Sequence, residues 1–349
     1  MLTNAQIAEL LAHAAEEAEP GGNRERALGR ASRAAFFWPM EASWLLHQDR
    51  SLTELRSVGP WLAGVITGWL VDPSTDPPEP PELRRGFLTM SEVRQTIDAH
   101  PDWMPSLRAD LQMHTTWSDG AAPLREVVAE AEALWNYEFI AITDHSKGLK
   151  IAGGMNEAEL AEQGEDISRV NQELGERGSR LRVLRSIEMN LSPEGVQDME
   201  PQALARLDLV LAAFHSKLRL TEDQTDRYVR ALRNPTFHIL AHPRGRVFNR
   251  RRGLSADWAH VFETAAEEGK ALEIDAHPSR QDLDSELLEL ARDVGLWISI
   301  GTDAHLLREL QYVEFGVALA IRAGFPRERI LNYQPLESVL RWAHRPLVT

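Results

Sequence analysis

The sequence predicts an α/β fold for residues 106–349, a parallel (β/α) barrel that follows a small all-α domain. Short β-rich runs alternate with amphipathic helical stretches from residue 106 onward, and each run is followed at once by His, Asp or Glu. Parallel strands need a crossover connection, which is usually a helix. An open doubly wound sheet is the structural alternative. We favour a barrel because its strand ends share one rim, where the polar residues would converge.

Seven strands and seven helices are predicted in this region from hydrophobic periodicity and β-branched content. The predicted strands are residues 108–114, 139–144, 183–189, 209–215, 238–242, 271–275 and 297–303. The predicted helices are residues 123–136, 157–176, 199–206, 221–233, 255–269, 282–294 and 307–323.

Residues 1–71 are predicted to be helical, with Leu2, Ile7, Leu10 and Leu11 spaced at helical intervals and further helices near 27–37 and 52–66. Residues 72–82 contain five prolines, which predicts a stiff linker. One helix is expected near residues 90–99. We therefore predict a helical domain at 1–71, a linker with a connecting helix at 72–105, and the barrel at 106–349.

Composition narrows the classes of function. The net charge of -15 gives no general attraction to nucleic acid, so phosphate binding would need a local basic patch. Without cysteine, a metal must be held by imidazole and carboxylate groups. No apolar run approaches the roughly 20 residues that span a bilayer. The acidic, helix-patterned N-terminus does not resemble a secretory signal. We expect a cytoplasmic protein with no membrane partner.

Six of the twelve histidines fall at predicted strand ends. A single histidine there would be explained as a hydrogen-bonded loop or core residue, but six at equivalent positions indicate a shared site. They are His114, His145, His215, His242, His277 and His305. The other six are predicted to be structural or surface residues: His13, His47, His100, His238, His260 and His344.

The strand-end motifs resemble those of the PHP (polymerase and histidinol phosphatase) family. They are DLQMHTTWSDG at 110–120, AITDHSKGLKIAGG at 141–154, the strand that contains Glu188, HSK at 215–217, AHPRGR at 241–246 and TDAH at 302–305. The likeness is greatest to the C-terminal PHP domain of bacterial family X DNA polymerases and covers roughly residues 108–340. It implies a distorted (β/α)7 barrel with a trinuclear metal site, in agreement with the seven predicted alternations.

The resemblance also implies nine metal ligands and their grouping. They are Gln112, His114, Asp119, His145, Glu188, His215, His242, Asp303 and His305. One ion would be shared by Gln112, His114, Glu188 and Asp303, a second by Glu188, His215 and His242, and a third by Asp119, His145 and His305. Gln112 departs from the family pattern, because an amide oxygen is a poorer donor than imidazole. Its alternative role is to support the ligands without binding an ion.

The expected chemistry is phosphoester hydrolysis by a metal-bridging hydroxide, with two or three Zn, Mn or Fe ions as cofactors. We predict Glu188, Lys217 and Arg244 as catalytic residues. The predicted substrate-binding residues are Lys147, Lys217, Arg244 and Arg246, since guanidinium and ammonium groups bind phosphate. Lys150, Arg219 and Arg250–Arg252 add to the same basic rim. A solvated charge run is the alternative for Arg250–Arg252 and also for Lys217 and Arg244. Asn190 and His277 could orient ligands from behind or act as plain polar caps.

Residues 52–66 are similar to a helix-hairpin-helix of the same polymerases. Such a hairpin binds a DNA phosphate through backbone N–H groups at a helix N-terminus. Only Gly59 of the usual glycine pair is kept, and Pro60 removes one donor. DNA binding by this segment is therefore doubtful, and a helical packing or protein-interaction module is the alternative. The stretch between residues 71 and 105 is too short for a nucleotidyltransferase palm, so DNA synthesis is not expected.

Three hypotheses follow for the function. The leading one is a stand-alone phosphoesterase that acts as a 3′-5′ exonuclease or DNA-end phosphatase in DNA repair, with a phosphorylated substrate and DNA ends as partners. The second is a small-molecule phosphatase for a histidinol-phosphate-like or nucleotide substrate, which the acidic balance and the degenerate hairpin favour. The third is a non-catalytic metal-binding interaction module.

Overall fold

The computed structural model describes residues 1–344. The chain divides into two compact units, Met1–His100 and Pro101–Thr349, of which the second is described up to residue 344.

The first unit is built from helices. They are α1 (Asn4–Glu16), α2 (Asn23–Ala35), α3 (Ala42–His47), a 3-10 turn (Leu52–Glu54), α4 (Pro60–Val71) and α5 (Met90–Asp98). Thr3 begins α1 with a capping box, and Pro60 occupies the first turn of α4, where its missing N–H costs nothing. Ile7, Leu11 and Trp38 are fully buried and form part of its core.

The second unit is an α/β structure in which all the paired strands are parallel. The strands are β1 (Ala109–Met113), β2 (Phe139–Ile142), β3 (Arg182–Arg185), β4 (Glu188–Leu191), β5 (Leu211–Phe214), β6 (Ile239–Leu240), β7 (Ala271–Asp275) and β8 (Trp297–Gly301). They form a three-stranded sheet, β1-β2-β3, and a five-stranded sheet, β4-β5-β6-β7-β8.

Helices precede, connect and follow these strands, except that β3 and β4 are joined without one. They are α6 (Trp103–Ser106), α7 (Leu124–Leu134), α8 (Glu157–Glu176), α9 (Pro201–Leu204), α10 (Thr225–Leu232), α11 (Trp258–Glu267), α12 (Ser285–Asp293), α13 (Val313–Arg322) and α14 (Leu336–Ala343). Short 3-10 turns span Lys150–Ala152, Leu307–Tyr312, Arg327–Arg329 and Leu331–Tyr333. The predicted α/β class and parallel pairing are confirmed.

The predicted strand at residues 183–189 is wrong in one respect, because it is two strands in two different sheets. β3 ends at Arg185 and β4 begins at Glu188. The break has a tertiary cause: the carbonyl of Arg185 accepts the N–H of Asp208, while the N–H of Glu188 turns to the carbonyls of Thr143 and Asp144. Different backbone partners on either side of residues 186–187 therefore divide the predicted strand in two.

Backbone hydrogen bonds also join strand ends that belong to different sheets. The N–H of Asp303 donates to Gln112 (3.1 Å), and the N–H of His114 donates to Ala304 (2.9 Å). The N–H of Ser146 donates to Glu188 (3.1 Å). The residues that follow β1, β2 and β8, and the first residue of β4, are thereby held next to one another.

A closely packed apolar core lies between the strands and fixes their side chains. Leu111, Phe139, Leu184, Leu211 and Ile239 are fully buried in it. Rigid strands of this kind can hold polar groups at their ends with little freedom. Among the helices of residues 1–344, none combines the length and hydropathy needed to cross a bilayer.

Candidate metal centre

Glu188 lies at the centre of the polar cluster, fully buried at the start of β4. Its Oε1 atom is 3.0 Å from His215 Nε2 and 2.7 Å from His242 Nε2. Its Oε2 atom is 3.4 Å from His114 Nε2 and 3.3 Å from His145 Nδ1. The two oxygens of one carboxylate therefore face two separate groups of imidazoles.

A first group of donors surrounds Oε2 of Glu188. Gln112 Nε2 donates to it at 3.0 Å, and His114 Nε2 is also 3.1 Å from Asp303 Oδ1. All four residues are buried, and the donor atoms of His114, Glu188 and Asp303 lie within 4.8 Å of one another.

A second group of donors lies at the more exposed edge of the cluster. Asp119 Oδ1 is 3.5 Å from His145 Nε2 and 3.3 Å from His305 Nε2. The rings of His114 and His305 are stacked with centroids 4.2 Å apart. The side chains of Asp119 and His305 are 36% and 29% exposed, so the cluster opens to solvent on this side.

Charge and burial oppose each other in this cluster. Burial acts to raise the pKa of Glu188, but the imidazoles of His145, His242 and His215 outweigh it and hold the pKa well below its usual range. Burial lowers the pKa of His145 to about 3. At His305, burial acts to lower the pKa, but Asp119 and Asp303 outweigh it and raise the pKa to about 10. These are strongly perturbed groups in one cleft, which is typical of a functional site.

The backbone is strained at two of the predicted ligands. His242 has a φ of 29° and Asp303 a φ of 50°, and each lies two residues after the end of a strand. Residues other than glycine rarely adopt a positive φ, and this backbone conformation costs on the order of 1–3 kcal/mol per residue. Such strain persists where the surrounding structure imposes it, most often at active sites.

The donor set and its spacing fit divalent ions. Ligand atoms about 2.1 Å from a shared tetrahedral ion lie about 3.4 Å apart. Six of the seven imidazole–carboxylate separations above, at 3.0–3.5 Å, are close to that edge length, and only the 2.7 Å between His242 and Glu188 is shorter. Imidazole with carboxylate is also the ligand chemistry of Zn, Mn and Fe. All nine residues predicted as ligands are brought into this one cluster, which we call the metal centre.

The predicted substrate-binding cations are less concentrated. Lys147 pairs with Glu157, and Arg244 and Arg246 both pair with Asp284. Arg246 is buried, which lowers its pKa to about 10. The side chain of Lys217 is exposed and forms no ion pair within residues 1–344, and its φ is 52°.

Arg280 is a functional candidate that the sequence reasoning missed. Its Nη2 is 3.1 Å from Asp303 Oδ2, on the opposite side of that carboxylate from His114, and its Nε is 3.3 Å from Asp275. Within residues 1–344, Nη1 makes no hydrogen bond, and 28% of the side chain is exposed. A signal was present, because Arg280 follows the β7 strand end in HPSRQD as the other basic residues follow theirs.

Asp144 is a second residue absent from the predicted site, because the sequence places it inside the predicted strand at 139–144. Its buried carboxylate accepts hydrogen bonds from Thr115, Ser118 and Gln163. It thereby shapes the segment that leads to Asp119.

Asn190 and His277 differ in their surroundings. Asn190 Oδ1 is 3.2 Å from His215 Nδ1, so its side chain contacts a predicted ligand directly. His277 bonds the hydroxyl of Ser279 (2.9 Å), and its ring packs edge-on against Tyr312. Its side-chain hydrogen bonds within residues 1–344 go to no predicted ligand.

Comparison with known proteins identifies relatives of the chain. It is 35% identical over 261 residues to the DNA polymerase/3′-5′ exonuclease PolX of Bacillus subtilis, covering 74% of this chain and 45% of that protein. It is 32% identical over 163 residues to a probable phosphatase of Tolumonas auensis, covering 44% of this chain and 64% of that protein. The chain thus spans about half to two thirds of the length of these two relatives. The predicted likeness is confirmed. The chain is therefore homologous to PolX and to this probable phosphatase.

Other matches are more distant. The probable phosphatase YE2421 of Yersinia enterocolitica is 28% identical over 238 residues, covering 65% of this chain and 90% of that protein. A solved structure of histidinol phosphate phosphatase from Lactococcus lactis, complexed with zinc, L-histidinol and phosphate, aligns with a TM-score of 0.46 and 19% identity. The alignment covers 63% of this chain and 94% of that chain. No family model matches the chain.

Proposed function

We propose that the chain is a metal-dependent phosphoesterase, a hydrolase that acts on phosphoester bonds. The observation that carries this proposal is the arrangement around Glu188, whose two oxygens face separate groups of imidazoles. A bridging carboxylate of this kind would hold two ions close together, with Asp119, His145 and His305 available for a third. Zinc, manganese and iron suit the ligands.

The proposed architecture is a distorted (β/α)7 barrel in which β3 and β4 together take the place of one strand. The backbone hydrogen bonds from Asp303 to Gln112 and from His114 to Ala304 support closure between β8 and β1. In such a barrel the metal centre occupies the carboxyl-end rim, where catalytic groups sit. The proposed domains remain 1–71, 72–105 and 106–349.

The bound ions would supply an activated water and neutralise the charge of the phosphate. The chain's own residues bind and orient the substrate. Arg280 presents Nη1 beside Asp303, where it can hold a phosphate oxygen while its other two nitrogens stay on Asp303 and Asp275. Lys217, which lies three residues after the end of β5, can add a second positive charge. Arg244 and Arg246 are committed to Asp284, so we assign them to shaping this rim.

For the substrate we propose the 3′ end of DNA, so that the chain acts as a 3′-5′ exonuclease or DNA-end phosphatase. The identity of 35% over 261 residues to a polymerase/3′-5′ exonuclease supports this class. A small-molecule phosphatase is the second candidate, because the chain matches 90% of the length of a probable phosphatase.

The test compares two substrates with one reconstituted protein. Metal-free protein is loaded with Mn²⁺ or Zn²⁺ and given either a 5′-labelled single-stranded oligonucleotide or small phosphomonoesters. We expect stepwise shortening from the 3′ end or release of a 3′-phosphate. Glu188→Gln should abolish hydrolysis, whereas Glu263→Gln, the same change on the exposed face of α11, should not. Turnover of small phosphomonoesters alone would exclude the DNA substrate, and a metal-loaded protein that hydrolyses neither would exclude the enzyme.

A further inference from the structure

Two buried oxygen atoms beside the metal centre lack hydrogen-bond donors. Gln112 Oε1 and Glu273 Oε1 are both buried, and neither has a hydrogen-bond partner within residues 1–344. Both lie against the backbone of Gly301: a Cβ added there would be 2.2 Å from Glu273 Oε1 and 3.2 Å from Gln112 Oε1. A buried acceptor without a donor costs about 1–3 kcal/mol, so two neighbouring ones call for an explanation.

The other end of each group is well bonded. Gln112 Nε2 donates to Glu188 Oε2 at 3.0 Å, and Glu273 Oε2 accepts the N–H of His242 at 2.8 Å. The Gln112 nitrogen therefore occupies the position from which a fourth ligand would bind an ion shared by His114, Glu188 and Asp303. An NH₂ group cannot bind a cation, whereas an amide oxygen can.

A half-turn of the Gln112 amide resolves both problems. The amide oxygen and nitrogen are nearly the same size, so they exchange places with little movement of other atoms. After the turn, Oε1 would face Glu188 and could serve as a ligand to a bound ion. The NH₂ group would lie beside Gly301, next to which Glu273 Oε1 also lies, and could donate to that oxygen.

We propose that Gln112 binds a divalent ion through Oε1 and that Glu273 is the positioning residue that turns its amide. This inference rests on the proposed metal centre and adds a residue, Glu273, to it. Glu273 is suited to the role because its side chain is fully buried on β7 and fixed by His242. Gly301 is required because any side chain there would occupy the space between the two groups.

The proposal gives a specific expectation for Glu273→Gln. The new amide must keep its oxygen on the N–H of His242, so its NH₂ group faces Gln112. That NH₂ group would donate to Gln112 Oε1 and hold the Gln112 nitrogen towards Glu188. The ion should then lose a ligand and bind about tenfold or more weakly, the usual effect of removing a group that orients a ligand.

The exchanged pair, Gln112→Glu with Glu273→Gln, should restore binding. One oxygen of the new carboxylate at position 112 would face the ion, and its other oxygen would accept the NH₂ group at position 273. Gln112→Glu alone places two carboxylates face to face and should bind the ion more weakly than the exchanged pair. This second comparison keeps the proposal testable even where Glu273→Gln folds poorly.

The measurement is ion binding, not catalysis. Metal-free wild type, the three variants and the control Glu263→Gln are titrated with Zn²⁺ against a chelator and with Co²⁺ by absorption, which reports ligand number. We expect wild type and Glu263→Gln to agree, Glu273→Gln to lose affinity for one ion, and the exchanged pair to regain it. Equal affinity of Glu273→Gln and wild type would overturn the proposal, as would an exchanged pair no better than Gln112→Glu.

The same data separate this inference from the proposed function. A wild type that binds ions and hydrolyses phosphoesters, with Glu273→Gln unchanged in ion affinity, overturns the role of Glu273 alone. A wild type that hydrolyses nothing, with an ion weakened in Glu273→Gln, overturns the function and supports the Gln112–Glu273 pair. A wild type that binds no divalent ion overturns both.

Discussion

Asp144 offers the most direct test of how the protein holds the candidate metal centre in place. Oδ1 accepts hydrogen bonds from Thr115 N (2.8 Å), Ser118 N (3.1 Å) and Ser118 Oγ (2.6 Å). Oδ2 accepts them from Thr115 Oγ1 and Gln163 Nε2, both at 2.7 Å. The segment that leads to Asp119 is thus wrapped around one buried carboxylate. We expect Asp144→Asn to loosen that segment and weaken an ion held by Asp119.

The magnitude follows from the donors that lose their acceptor. An amide keeps one oxygen, so the two donors at Oδ2 face an NH₂ group. Hydrogen bonds to charged groups contribute about 1.5–3 kcal/mol each, which gives about 3–6 kcal/mol for two. Burial raises the pKa of Asp144 despite its donors, so the carboxylate is itself held at a cost, and we take the lower end. A loss of about 3 kcal/mol corresponds to about 6–12 °C in melting temperature for a domain of this size.

The assay combines thermal melting of the metal-free protein with titration of Zn²⁺. Asp144→Asn should melt about 6–12 °C lower and bind one ion roughly 10–100-fold more weakly. Asp293→Asn is the matched control, because Asp293 is 65% exposed and its side chain contacts Arg292 at the end of α12. The reasoning would be refuted if Asp144→Asn melted and bound zinc as the control does.

Three further predictions concern single residues. Asn190→Leu should leave the fold intact but weaken one ion about tenfold, because His215 loses the partner that orients its ring, and zinc titration measures this. Arg280→Met should raise KM for a phosphorylated substrate by about tenfold or more, because the substrate loses a charged hydrogen bond. Steady-state kinetics measures this change, and the control Arg329→Met, at an exposed site, should leave KM unchanged. Burial, aided by Lys270, lowers the pKa of His238 from 6.5 to about 4. The folded state therefore resists protonation, so stability is present above pH 6.5 and lost as pH falls towards 4. The difference is about 3 kcal/mol, and it should disappear in His238→Asn when both proteins are unfolded in urea across that pH range.

The strands and their polar ends could be predicted from the sequence because both signals are local. The run Ala271–Asp275 is short and lies between two stretches of helical periodicity, and the prediction matches the strand residue for residue. The division of residues 183–189 into β3 and β4 could not be predicted, because it depends on backbone partners near residues 143 and 208.

The candidate site shows the same limit for the charged residues. His114 and His145 are placed by the strand that each follows, so the positions of the predicted strand ends were sufficient to predict that they lie close together. The ion pair between Arg244 and Asp284 joins residues 40 positions apart in the sequence, and no local pattern reveals it. The role of Arg280 likewise emerges only when β7 and β8 lie side by side and Asp303 comes within reach.

These pairings bear on how a nucleic acid could be held. Lys147, Arg244 and Arg246 are paired with carboxylates. Arg280 is also paired, with Asp275 and Asp303, but its Nη1 makes no hydrogen bond within residues 1–344, so Arg280 and Lys217 are the cations best placed to meet a phosphate. Each phosphate contact to a single strand contributes about 0.7 to the slope of log affinity against log salt. Two such cations on a chain of net charge -15 are enough to bind one terminal phosphate but too few to bind many phosphates along a nucleic-acid strand. We therefore expect the site to select the end of a substrate, the part that a 3′-5′ exonuclease and a phosphomonoesterase would both bind.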